Sequence, residues 1–130
     1  MKNFPTRALQ DVSLASVESS FVSVQSMGRT IFVSTDTITF MEGEGNYTYI
    51  YTINGKKYLV SKTLKSLAMN LNSNFIRVHK SYLINTNFVV ERIEDDRMLR
   101  MSCGREINVS RRKIKEISYI LNHTNLRAIA

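Results

Sequence analysis

From Phe21 onward, apolar and polar positions alternate with a period of two, and the alternation breaks at Gly, Asn and Asp. That period is the mark of half-buried strands separated by turns. The stretch "FVSVQSM" (21–27) alternates, Gly28-Arg29 offers a turn, and "TIFVS" (30–34) returns. "TITFMEGEG" (37–45) predicts a strand that ends in a glycine-marked loop, and "YTYIYTI" (47–53) is rich in β-formers. Asn54-Gly55 then predicts a type I′ hairpin turn, which needs positive φ at both central residues, and "KKYLV" (56–60) runs back. "FIRVHKSYLIN" (75–85) reads as a strand that gives way to a loop at Lys80-Ser81. "FVVERIE" (88–94) and "RMLRMS" (97–102) flank Asp95-Asp96 as a second hairpin. Gly104 turns the chain into "EINV" (106–109).

Two segments switch to helical spacing. Ser61 is placed to N-cap "KTLKSLAMNL" (62–71), with Leu64, Leu67, Ala68 and Leu71 on one face and "NSN" (72–74) as the stop. Ser110 is placed to cap "RRKIKEISYIL" (111–121), with Ile114, Ile117 and Leu121 spaced for packing. Residues 1–19 hold the only proline and many small residues. They read as an N-terminal tail or linker ahead of one domain over 20–130. The pattern predicts a mainly β domain of sandwich or barrel type, with one short mid-chain helix and a C-terminal helix.

Composition narrows the classes. A chain of 130 residues with 43% hydrophobic content suits one packed domain and is too apolar for a disordered one. No apolar run approaches the ~20 residues of a membrane span. The single cysteine, Cys103, cannot form an internal disulfide, which points to a reducing cytoplasm. The net charge is +7, with eleven Lys and Arg against six Asp and Glu from Phe75 onward. That excess suggests a polyanion, either nucleic acid or an anionic membrane, unless the protein is merely basic.

Catalysis and metal binding find little support. His79, His123 and Cys103 lack ligand spacing, so no metal or other cofactor is expected. Cys103 reads as a turn residue, Glu42 and Glu44 as solvated acids in a glycine loop, and "GEGN" (43–46) lacks the Lys-Ser/Thr ending of a phosphate-binding loop. No enzyme is expected.

Anion binding has better support. Arg111, Arg112 and Lys113 follow the Ser110 cap, where the positive end of a helix disfavours cations. An anion bound there would remove the conflict, and salt screening is the plainer alternative. Lys80 can donate to guanine or phosphate, and Ser81 to phosphate. His79 reads as a structural group bonded to backbone, with a DNA contact as the alternative, and Arg77 as either an ion pair or a phosphate contact. Asn46 can read adenine, and Tyr47 can touch phosphate or a thymine methyl.

These pieces together resemble the LytTR family of bacterial DNA-binding domains. "FIRVHKSYLIN" is similar to the family's Phe-x-Arg-x-His-Arg/Lys-Ser-Tyr/Phe-x-Val-Asn signature, with Ile84 in the place of Val. "ITFMEGEGNYTYIYTINGKKYLVSKTLKSL" (38–67) and "INVSRRKIKEI" (107–117) support it, so the likeness runs over about residues 21–121. It implies an elongated arrangement of small antiparallel sheets whose loops enter successive major grooves. Carried over by position, Asn46, Tyr47, Lys80 and Arg112 contact bases; Ser81, Ser110, Arg111, Lys113 and Lys115 contact phosphates. The implied partner is double-stranded DNA, bound as a homodimer on paired half-sites, in the cytoplasm and without a membrane. Many family members carry a receiver domain and none is seen here, which leaves room for a sensor kinase or receiver partner acting in trans. Two rivals stand beside this reading. One is a single-stranded nucleic-acid binder stacking bases on Tyr47, Tyr49 and Tyr51; the other is a protein-interaction module with a basic face.

Overall fold

The computed structural model describes residues 21–124, so the expected tail over 1–19 lies outside the described residues. The chain runs through β1 (Phe21–Ser26), β2 (Arg29–Ser34), β3 (Ile38–Glu44), β4 (Tyr47–Thr52), β5 (Lys57–Val60), α1 (Leu64–Ala68), β6 (Phe75–His79), β7 (Tyr82–Asn85), β8 (Val89–Ile93), β9 (Met98–Met101), β10 (Glu106–Asn108) and α2 (Ile114–His123). The strands form three antiparallel sheets: β1-β2, β5-β4-β3-β7-β6 and β10-β9-β8. No barrel closes among the described residues.

The five-stranded sheet is the shared wall of two cores. On one side Ile38, Met41, Ile50, Val60 and Leu83 pack with Val22, Val24 and Val33 of the β1-β2 hairpin and with Leu64 and Leu67 of α1. On the other, Phe40, Val78 and Ile84 pack with Leu99, Met101 and Ile107 of the three-stranded sheet and with Ile117 and Leu121 of α2. The alternation in the sequence sorts the residues: Thr48, Ile50 and Thr52 are buried toward the first core, while Tyr47, Tyr49 and Tyr51 face the second side.

Local chemistry departs from expectation at several turns. The turn with two left-handed residues is Met27-Gly28 (φ 52° and 78°), between the paired Ser26 and Arg29. At Asn54-Gly55 only Gly55 is left-handed (φ 81°), and its N–H donates to the Thr52 carbonyl at 3.1 Å. This is a type I turn followed by a left-handed glycine, so the loop holds three residues and the expected type I′ turn is absent. Helix α1 is capped by Thr63, whose hydroxyl accepts from the Ser66 N–H at 3.1 Å, rather than by Ser61. The loop expected after His79 is a tight turn, and β7 follows at once as an inner strand of the large sheet.

The β8-β9 turn is unusual. Glu94, Asp95 and Asp96 are successive left-handed residues (φ 51°, 57° and 69°), a conformation that side chains other than glycine disfavour. Asp96 is buried and holds the turn in place. Its carboxylate accepts from Arg92 Nε at 2.8 Å and Nη2 at 2.6 Å, and from the Ser118 hydroxyl of α2. Arg92 Nη1 donates to Asn122 Oδ1 at 2.9 Å. The hairpin is thereby fastened to α2. Hydrogen bonding to Arg92 holds the Asp96 carboxyl below its ordinary value, against the opposing effect of burial.

Candidate nucleic-acid interface

Sheet topology places three connections at one end of the molecule. Glu42 of β3 pairs with Tyr49 of β4 and with Tyr82 of β7, so the end of β3 lies beside the starts of both partners. The β3-β4 turn (Gly45-Asn46) and the β6-β7 turn (Lys80-Ser81) are therefore neighbours. The Gly43 N–H donates to the Ser81 carbonyl at 2.8 Å and ties them together. The third connection, a 3-10 turn over Arg111–Lys113, docks on β6: the Ser110 N–H donates to the Val78 carbonyl at 2.7 Å, and Lys113 Nζ to the Arg77 carbonyl at 3.2 Å.

Two clefts lie between these turns. One, of about 400 Å³, is lined by Arg77, His79, Lys80, Ser110, Arg112 and Lys113. The other, of about 200 Å³, is lined by Gly43, Gly45, Thr63, Leu64, Lys65, Arg77, Lys80 and Ser81. Arg77 and Lys80 belong to both, and no carboxylate lines either. Among the described residues, the ion pairs join Arg92 to Asp96, Arg100 to Glu91 and Glu106, and Arg105 to Glu42. Lys65, Lys80, Arg111, Arg112, Lys113 and Lys115 have no such partner there. Uncompensated cations around open concavities attract an extended polyanion.

The structure thus gathers Lys80, Ser81, Ser110, Arg112 and Lys113 around the two clefts. Asn46 and Tyr47 sit next to Gly45 at the β3-β4 turn, both exposed, and Arg111 and Lys115 are exposed beside the 3-10 turn without lining a cleft. The glycine-marked loop is a two-residue hairpin turn: Gly45 (φ 63°) takes the first central place and Asn46 the second, between the paired Glu44 and Tyr47. Gly43 is a strand residue on which Leu64 of α1 closes; a Cβ there would stand 2.9 Å from Leu64 Cδ1.

The capping role expected of Ser110 does not hold. Its side chain makes no capping bond, Arg111–Lys113 form the 3-10 turn, and α2 starts at Ile114 with Glu116 in its first turn. The three cations therefore precede the α-helix, and its own first turn carries the acid its dipole favours. His79 is structural as expected: Nδ1 accepts from the Ser81 N–H at 3.1 Å. Arg77 forms no ion pair among the described residues. Its Nε donates to the His79 carbonyl at 3.0 Å and its Nη2 to the Lys80 carbonyl at 2.5 Å.

Glu42 is not a solvated acid. It accepts from the hydroxyls of Tyr51 (3.3 Å) and Tyr82 (3.1 Å) and pairs with Arg105 at 3.3 Å. Burial works against the charge of Arg105, yet bonds to Tyr51 and Tyr82 and the Glu42 carboxylate hold its pKa above the ordinary arginine value. The same cluster bears on the base-stacking rival. Tyr51 stacks on Phe40 with centroids 4.3 Å apart and planes 9° apart, and Lys57 Nζ sits 4.4 Å from the Tyr49 centroid. Two of the three tyrosines proposed as a platform already have a partner on a ring face. Lys65 was missed by sequence reasoning, because a lysine on the polar side of a short helix looks solvated; only the fold carries it beside Lys80. Among the described residues no three His, Cys, Asp or Glu side chains gather to hold a metal, and Cys103 is exposed.

Two relatives from Paraburkholderia xenovorans, the heme-containing CO-sensing transcriptional regulators RcoM 1 and RcoM 2, are each 26% identical over 105 residues, which is 77% of this chain and 39% of theirs. The chain thus spans well under half the length of these relatives. A solved LytTr DNA-binding domain of a response regulator from Bacillus cereus shares the fold, with a TM-score of 0.67 at 22% identity, covering 82% of this chain and 99% of that one. The profile of the LytTr DNA-binding domain matches residues 28–122, from the β1-β2 turn through α2, and the chain belongs to that family.

Proposed function

We propose that this protein is a sequence-specific, double-stranded DNA-binding transcriptional regulator that reads successive major grooves with turns instead of a recognition helix. The observation that carries the reading is the gathering of the β3-β4, β6-β7 and 3-10 turns at one end of the fold, around clefts lined by cations and no carboxylate. In this reading Lys80 and Arg112 donate to guanine O6 and N7, and Asn46 pairs with an adenine edge while Tyr47 packs beside it. Ser81, Ser110, Arg111, Lys113 and Lys115 hold phosphates, joined by Lys65. The relatives described as transcriptional regulators support a role in transcription.

So few base contacts give modest specificity per copy. Two copies on paired half-sites offset this, and bending of the duplex adds contacts at a deformation cost on the order of 1–6 kcal/mol. Control comes from a sensor kinase or receiver partner in trans, in the cytoplasm, and the reading includes no catalytic step. The test is selection of binding sites from random duplexes. A recovered motif with guanine and adenine at fixed spacing is the expected result. Recovery of no motif, or preference for single strands in competition, refutes the proposal.

A further inference from the structure

Arg77 stands at the centre of the interface without needing an anion to explain it. Its guanidinium forks onto the His79 and Lys80 carbonyls, at 3.0 and 2.5 Å. The pairing of β6 with β7 shifts register between Arg77 and His79, so the fork spans the irregularity that precedes Lys80. Such irregularities re-aim side chains, and here the strand would be free to re-aim without a clamp. On the other side, the Arg77 carbonyl accepts from Lys113 Nζ at 3.2 Å, and the adjoining Val78 carbonyl accepts from the Ser110 N–H at 2.7 Å. One short stretch of β6 thus holds both the turn bearing Lys80 and the turn bearing Arg112.

We infer that Arg77 is a positioning residue that fixes Lys80 and Arg112 relative to each other, so that both meet base edges of one duplex at once. The inference rests on the duplex-reading function proposed above. It contrasts with a phosphate contact, in which the charge of Arg77 alone would matter. A lysine keeps that charge but is a single compact donor group, whereas the guanidinium presents a planar fork that spans two carbonyls. Arg77→Lys therefore separates the two roles.

The experiment compares wild type, Arg77→Lys and Arg77→Gln in two arms. In the first, amide NMR spectra of the free proteins are recorded. Both variants shift resonances at residues 79–82 and 110–113 and leave the β1-β2 hairpin unmoved. An unshifted Lys80-Ser81 turn overturns the inference even if DNA binding is intact. In the second, fluorescence anisotropy gives Kd for the selected duplex and for a random duplex across a salt series. Positioning predicts that both variants lose on the order of tenfold on the selected duplex, with random-duplex affinity held. Arg77→Lys also keeps the wild-type salt slope. If Arg77→Lys matches wild type on both duplexes while Arg77→Gln loses about one unit of slope, Arg77 is a phosphate contact and the inference fails. Equal losses on both duplexes, in step with a lowered melting temperature, reduce Arg77 to a structural residue and also overturn it. Wild type that shows no preference for any duplex refutes the DNA-reading function itself, and the free-protein spectra still decide whether Arg77 sets the turns.

Discussion

Arg111→Ala removes one of the four cations assigned to phosphates, Lys65, Arg111, Lys113 and Lys115, none of which pairs with a carboxylate among the described residues. Arg111 is exposed at the start of the 3-10 turn, where its backbone carbonyl, not its side chain, supports the helix. The substitution therefore leaves the fold alone and changes only the charge at this end of the molecule. If all four neutralise phosphates, log K should fall against log salt with a slope of about −3.6. Between about 50 and 200 mM salt that is a loss of roughly 150-fold, and with three cations the slope of about −2.7 gives roughly 40-fold. Fluorescence anisotropy on a labelled duplex, read at four or more salt concentrations, resolves the difference. The slope change should be the same on selected and random duplexes, because phosphate neutralisation carries no sequence information. A wild-type slope shallower than about −2, or a slope unmoved by Arg111→Ala, refutes the interface as drawn.

Further expectations concern specificity and the scaffold. Arg112→Ala should weaken binding to the selected site by about 1–3 kcal/mol and to random DNA by less, in the same assay; equal losses would deny it a base-reading role. Asp96→Asn should lower the free energy of unfolding by about 1–3 kcal/mol near pH 7 in urea titrations, because the Arg92 and Ser118 bonds lose their charged acceptor. The native Asp96 carboxyl is held below its ordinary value, so its contribution is full above about pH 4 and vanishes as pH falls through the lowered native value; the gap between variant and wild type should close there, and a constant gap would sink the assignment. Gly43→Ala should destabilise by about 1–3 kcal/mol in the same titrations, since Leu64 must yield to the new methyl, and an unchanged midpoint would show that α1 shifts freely.

Much of the scaffold was legible because period-two alternation is a local signal that burial enforces. Val22 and Val24 against Phe21 and Ser23, or Ile50 against Tyr49 and Tyr51, face the sides their spacing requires. Turn geometry was less legible, because it depends on how the flanking strands pair. Asn54-Gly55 has the composition of a type I′ turn, yet pairing of Tyr51 with Lys57 leaves room for a longer loop. Thr63 displaces Ser61 as cap because α1 starts where Leu64 can reach Gly43 and the first core. Strand β7 was read as a loop because Lys80 and Ser81 begin its segment, although Leu83, Ile84 and Asn85 are all buried. At the interface, the signature identified Lys80 and Ser81 as surface chemistry. Their neighbours Lys65 and Arg112 come from distant parts of the chain, and sequence spacing alone carried no hint that they share clefts.

The two-sided sheet has an evolutionary consequence. Lys80, Arg112 and Asn46 occupy exposed positions on connections, while the packing that keeps the protein folded lies in separate cores behind them. On the proposed reading, in which these three meet base edges, single codon changes there explore new operators without eroding the fold. Arg77 and Gly43, whose contacts shape the connections themselves, are where such drift should stall.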